Sequence, residues 1–158
     1  MRALHLAILL MLPALPAAAV SPAGAQEREW VTVESDAGVE MMYGTPESDD
    51  IMFAVRCDAK SKDIFIGFAH EPIGVRSGSA IDLTLFSEAG ETVVPSKASY
   101  LDTMDIWLIE TTPIDAEKLR PIVIDGTVLS VMVQDGSEEI PLAGTADDFK
   151  SLFKACAK

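Results

Sequence analysis

The sequence predicts a mainly β domain, an antiparallel β-sandwich with a C-terminal α-helix packed on the sheet. Two observations predict the sheet and a third predicts the helix. Segments such as Ile51–Cys57 and Ala80–Phe86 alternate apolar and polar side chains, as strands buried on one face do, and Thr127–Val133 is an apolar run of strand length. Clusters of Gly, Pro, Asp and Ser punctuate the chain at intervals of roughly 8–12 residues, which sets the strand number at about seven to nine. The last stretch, where Phe149, Leu152, Phe153 and Cys156 recur on one face of a 3.6-residue period, changes to a helical pattern.

Residues 1–25 stand apart as an export signal. Met1-Arg2 is a short positive start, Leu4 to Leu12 is an apolar run, and Ala23-Gly24-Ala25 before Gln26 fits the small-x-small rule for signal peptidase. The expected cleavage lies between Ala25 and Gln26. A spanning helix needs about 20 apolar residues without breakers, whereas Pro13 and Pro16 interrupt this run. The first cysteine is Cys57, so no lipid-anchor cysteine stands at the junction. The expectation is one domain over residues 26–158, periplasmic or secreted, with no membrane insertion after cleavage.

In chain order, Trp30–Glu34 and Val39–Tyr43 flank the turn Ser35-Asp36-Ala37-Gly38. Ile51, Phe53, Val55 and Cys57 then share one strand face, with Arg56 on the other, and the polar run Asp58–Asp63 turns into Ile64–Ala69. Ile81, Leu83 and Leu85 point inward from the next strand, and Ser87–Glu91 turns into Thr92-Val93-Val94, where Pro95 argues for a strand edge or end. Asp105–Ile109 is a short apolar strand. Asp135-Gly136 is a hairpin-turn dipeptide between Thr127–Val133 and Glu139–Leu142.

Two helices are expected. Thr112-Pro113 with Asp115 resembles a capped start, continued through Ala116–Arg120 and stopped by Pro121 after one or two turns. The second runs over about 145–157, with Thr145 at its cap, Asp147 and Asp148 at the positive end and Lys154 and Lys158 at the negative end of the macrodipole. Its apolar stripe carries Cys156 toward the sheet. Cys57 faces inward from its strand, an exported chain meets an oxidising compartment, and the two cysteines form no C-x-x-C pair. A Cys57–Cys156 disulfide is therefore expected.

The expected mature chain carries 11 basic and 25 acidic side chains, a formal charge of −14. Such a charge repels phosphate backbones and anionic lipid, so nucleic-acid binding is disfavoured, and a cationic protein or another envelope protein is the partner it suits. Outside the signal His70 is the one histidine, which rules out a multi-histidine metal site. No Gly-x-Ser-x-Gly elbow occurs, and His70, just before Glu71-Pro72, reads as an ordinary solvated histidine at a strand end or turn. The acidic clusters Glu47-Ser48-Asp49-Asp50, Asp135–Glu139 and Asp147-Asp148 lack the calcium-loop spacing and read as solvated surface. Met41, Met42, Met52, Met104 and Met132 form no M-x-x-M cluster and read as core filling. The glycines and serines of Gly74–Ser79 match no phosphate-loop spacing and read as a β-connection. No catalytic residue, metal or cofactor is expected.

The segment Tyr43-Gly44-Thr45-Pro46-Glu47-Ser48-Asp49-Asp50 leading to Phe53 and Cys57, with the ending Pro141-Leu142-Ala143-Gly144 and Phe153-Lys154-Ala155-Cys156, resembles a family of small exported bacterial β-sandwich proteins of uncharacterised function. The resemblance implies a β-sandwich with a disulfide-linked C-terminal helix and brings no catalytic residue. The functional expectation is an exported, non-enzymatic binding module. The alternatives are an inhibitor of a cationic extracellular enzyme such as a lysozyme, and a small periplasmic enzyme.

Overall fold

The computed structural model describes residues 27–157. The expected export signal and the expected Ala25–Gln26 cleavage site lie outside the described residues. The strands are β1 (Glu29–Ser35), β2 (Gly38–Gly44), β3 (Ile51–Asp58), β4 (Ile64–Ala69), β5 (Ser79–Ser87), β6 (Gly90–Leu101), β7 (Ile106–Thr111), β8 (Val128–Val133) and β9 (Gly136–Pro141). The helices are α1 (Ala116–Ile124), between β7 and β8, and α2 (Ala146–Ala155) after β9.

All nine strands form one antiparallel sheet in the order β1-β2-β3-β4-β7-β6-β5-β8-β9. The sheet curls into a half-barrel, which corrects the expected sandwich. The alternating pattern was right in burying one face of each strand, but it does not say what covers that face. Here the cover is helical. α1 packs on β5 and β6, α2 packs on β2 and β3, and the helices touch each other.

The core lies between helices and sheet. Phe53, Val55, Ile66, Phe68, Leu83, Leu85, Leu129 and Val131 meet Leu119, Ile122, Phe149 and Leu152, all fully buried. The Phe149 ring lies 5.4 Å from the Trp30 ring at 75°, and the Trp30 Nε1–H donates to the Pro141 carbonyl at 2.7 Å. One indole thus ties the first strand to the end of the last strand and to α2.

Cys57 and Cys156 are disulfide-bonded, with Cα atoms 5.7 Å apart across a separation of 99 residues. Cys57 is 1% and Cys156 7% exposed. The bridge fastens the C-terminal end of α2 to β3.

Five local expectations are corrected. Ile51 does not share the inward face, because the register shifts between Tyr43 and Gly44 so that Tyr43 pairs with Phe53 but Gly44 with Ile51. The extra residue, Met52, turns inward instead. Pro95 stands in the middle of β6 opposite Asp82. Its carbonyl accepts from Thr112 N at 2.9 Å and Thr112 Oγ1 at 3.1 Å, just beyond the end of β7. N and C=O of one strand residue face the same neighbour, so the missing N–H points where no ladder partner is needed.

Pro121 does not stop α1, which runs on to Ile124. The helix tolerates it because Leu119, Ile122 and Val123 are buried against the sheet, and because Asp115 caps the start by accepting from Glu117 N at 3.0 Å. The hairpin turn between β8 and β9 is Gln134-Asp135, with Gly136 already paired to Val133. Thr145 stands at the N-cap of α2, yet its hydroxyl donates to the Leu142 carbonyl instead of accepting from the helix.

Candidate functional site

The helices leave the other face of the sheet open, and the residues that alternate with the core lie there. Ala54 on β3 is opposite Gly67 on β4, and Gly67 is opposite Glu110 on β7. Two small residues in register make a trough. Larger side chains wall it, and together they form a groove of about 310 Å³ lined by Ile51, Phe65, Leu101, Met104, Ile106 and Leu108 among others. A Cβ on Gly67 would lie 3.4 Å from Leu108 Cδ1, so the glycine leaves room that an alanine would begin to fill.

The rim is charged. The Arg56 guanidinium lies 5.4 Å from the centre of the Phe65 ring and reaches Glu110 at 3.5 Å. Glu40 is directly opposite Arg56 on β2, and Asp49 also lines the groove. One cation against three carboxylates leaves the rim acidic. Both Arg56 and Glu110 are about half exposed, so the pair orients side chains more than it stabilises the fold. The apolar wall is partly open to solvent: Ile51 is 39%, Met104 59% and Ile106 36% exposed.

His70 takes a structural position. Its ring stacks on Phe68 at 5.5 Å and 7°, and its Nε2 lies 3.2 Å from Asp135 Oδ1 in the β8–β9 turn. The other Asp135 oxygen accepts from Ile73 N. A Cβ on Gly136 would lie 2.6 Å from His70 Cε1, so only glycine lets the ring approach the hairpin. Asp135 thus joins the loop after β4 to the last hairpin.

The Ile73 N–H, and after it His70, hold the Asp135 carboxyl below its ordinary pKa. A carboxylate depressed in the folded state contributes stability above its unfolded pKa and loses it as pH falls through the folded value. Asp135→Asn is therefore expected to lower stability at neutral pH and to flatten the decline below about pH 4, the unperturbed Asp range. Urea midpoints between neutral and acid pH check this, and parallel curves for both proteins would refute it.

The other sequence features hold the fold. In the first acidic cluster Asp50 Oδ2 accepts from Thr45 Oγ1 at 2.8 Å and lies 3.4 Å from Arg28. Asp147 pairs with Lys150 at 2.8 Å. Met41 and Met52 are core residues, while Met104 stands in the groove. In the Gly74–Ser79 loop, Gly78 N donates to Ala98 O at 2.8 Å and Ser77 Oγ accepts from Tyr100 N at 2.9 Å, which fastens the loop to β6. Among the described residues no group of three or more His, Cys, Asp or Glu is placed to hold a metal ion, and no helix is long and apolar enough to cross a membrane.

Comparison with known protein families, curated proteins and solved structures finds no match to this chain. The groove was not singled out from sequence. Its signal was present only as Arg56 facing away from the core, since the groove is made by pairing Ala54, Gly67 and Glu110 across three strands.

Proposed function

We propose that this protein is an exported, non-enzymatic binding module whose open sheet face takes a segment of a cationic envelope protein. The observation that carries this reading is the groove: an apolar floor wide enough for side chains, with an acidic rim, on a chain of strongly negative charge. A partner segment with apolar residues for the trough and Lys or Arg for Glu40, Asp49 and Glu110 matches both its shape and its charge. The export signal and the disulfide support an oxidising compartment as its place of work.

The test uses a photo-crosslinking residue in place of Phe65, with a control at exposed Lys150 on α2, in cells whose envelope is intact. The expected result is an adduct with a basic protein from position 65 and none from position 150. Leu108→Asp, which sets a charge at the groove wall without touching the core, is expected to reduce the adduct about tenfold. Equal labelling from both positions, or an adduct indifferent to Leu108→Asp, removes the reading.

Inhibition of a cationic extracellular enzyme is the same reading with the partner specified. The net charge favours it, and a lysozyme turnover assay at excess protein decides for that target: full residual activity excludes it.

A further inference from the structure

We infer that the protein forms a two-fold dimer by pairing β1 of one copy with β1 of a second. Among the described residues the sheet has two edges, β1 and β9, and an edge strand offers a row of unsatisfied backbone groups. The two edges differ in how they would meet a copy of themselves. β9 contains Gly136 at its start and Pro141 at its end, and pairing it with itself about its midpoint sets Glu138 against Glu139 of the copy at two places. Like charges directly opposite disfavour such a ladder. That edge is protected.

β1 has no such protection: the run Trp30-Val31-Thr32-Val33 contains no proline, glycine or charge, and all of β1 but half-buried Trp30 is exposed. Its hairpin fixes which groups face out. Ser35 pairs with Gly38 across the two-residue turn Asp36-Ala37, and the closing pair of such a hairpin exchanges both hydrogen bonds. Alternation then directs the N–H and C=O of Trp30, Thr32 and Glu34 to the free edge.

The midpoint of β1 is Thr32, so a two-fold axis there pairs the whole strand with itself. Thr32 meets Thr32 of the copy, Trp30 meets Glu34, and Val31 meets Val33, for roughly six new backbone hydrogen bonds. The same register carries Arg28, just before the strand, to Asp36 in the turn of the copy, once at each end. Opposite charges therefore flank the interface and no like pair falls within it. On the open face the valines of the two copies extend the apolar surface that begins at Met42, opposite Val31 on β2.

Sedimentation of the purified, disulfide-bonded protein over a dilution series tests this. A reversible monomer–dimer equilibrium is expected. Thr32→Pro removes only an outward N–H and is expected to weaken the dimer on the order of a hundredfold. Arg28→Asp and Asp36→Arg each set two like-charged pairs across the axis and are expected to weaken it on the order of fivefold to tenfold, while the double swap restores it. Arg28 also pairs with Asp50 of its own chain at 3.4 Å, a contact that the double swap does not restore, so the comparison of Asp36→Arg with the double swap keeps the test intact should the proline variant fail to fold. A monomer at every concentration, a dimer indifferent to Thr32→Pro, or a double swap no better than its parents overturns the proposal.

Discussion

Cys57→Ala combined with Cys156→Ala is expected to lower the unfolding free energy by about 4–5 kcal/mol, the chain-entropy value for a loop of about 100 residues. For a domain of this size the melting temperature then falls on the order of 10–20 °C. The bridge closes a separation of 99 residues, about three quarters of the described chain, so most of the unfolded chain feels its constraint while β1 and β2 lie outside the loop. Both cysteines are buried, and alanine fills most of the space each leaves. The loss should therefore come from the freed unfolded state more than from broken packing. That origin has its own signature: a steeper urea dependence, because the uncrosslinked chain exposes more surface. Urea titrations of both proteins without reductant check the midpoint and the slope together. An unchanged midpoint would show that the bridge contributes nothing to stability.

The pairing of those cysteines was legible because two local periodicities point the same way. Phe53, Val55 and Cys57 alternate on a strand, Phe149, Phe153 and Cys156 share a helical stripe, and both apolar faces have only the core to enter. Local pattern and structure agree at the turn Asp58–Asp63 and in the inward set Leu83 and Leu85, whereas the local signals of Pro121, Asp135-Gly136 and Thr145 are overridden by packing and pairing around them. Long-range pairing is different. β4 joins β7 through Gly67, Phe68 and Ala69, and no local signal in either strand names its partner. The half-barrel and the groove both depend on that junction, since it places Glu110 beside Gly67. Pro95 misled for a related reason: its missing donor is harmless only because β7 ends at Thr111, a fact held 16 residues away. Ile51 misled because a single extra residue reverses every side chain beyond it.

Phe149→Ala is the second large effect, at about 3–5 kcal/mol for a fully buried phenylalanine. The ring stands at the centre of the contact between α2 and the sheet, 5.4 Å from Trp30 and 6.4 Å from Phe153. Removing it leaves Trp30 with one edge-to-face partner, Phe53 at 6.1 Å, in place of two, while the Pro141 hydrogen bond still holds the indole. The expected native fluorescence is red-shifted, with the near-ultraviolet dichroism reduced and the far-ultraviolet signal kept. Retained native spectra with a shift of less than about 1 kcal/mol would place the anchorage of α2 elsewhere.

The two substitutions reach α2 by different routes, so their combination discriminates. The disulfide holds the helix at its C-terminal end and acts mainly through the unfolded chain, whereas Phe149 acts in the middle of the helix and through the folded core. If those origins are separate, the losses add to about 7–10 kcal/mol. A domain of this length has roughly 7–20 kcal/mol to lose, so near the lower end of that range the triple variant is expected to be partly or wholly unfolded at 25 °C while each parent remains native, and near the upper end its urea midpoint falls by the sum of the two losses. A triple variant as stable as the weaker parent would mean that the tether and the ring stabilise the same docking step, and that α2 detaches as a unit once either is gone.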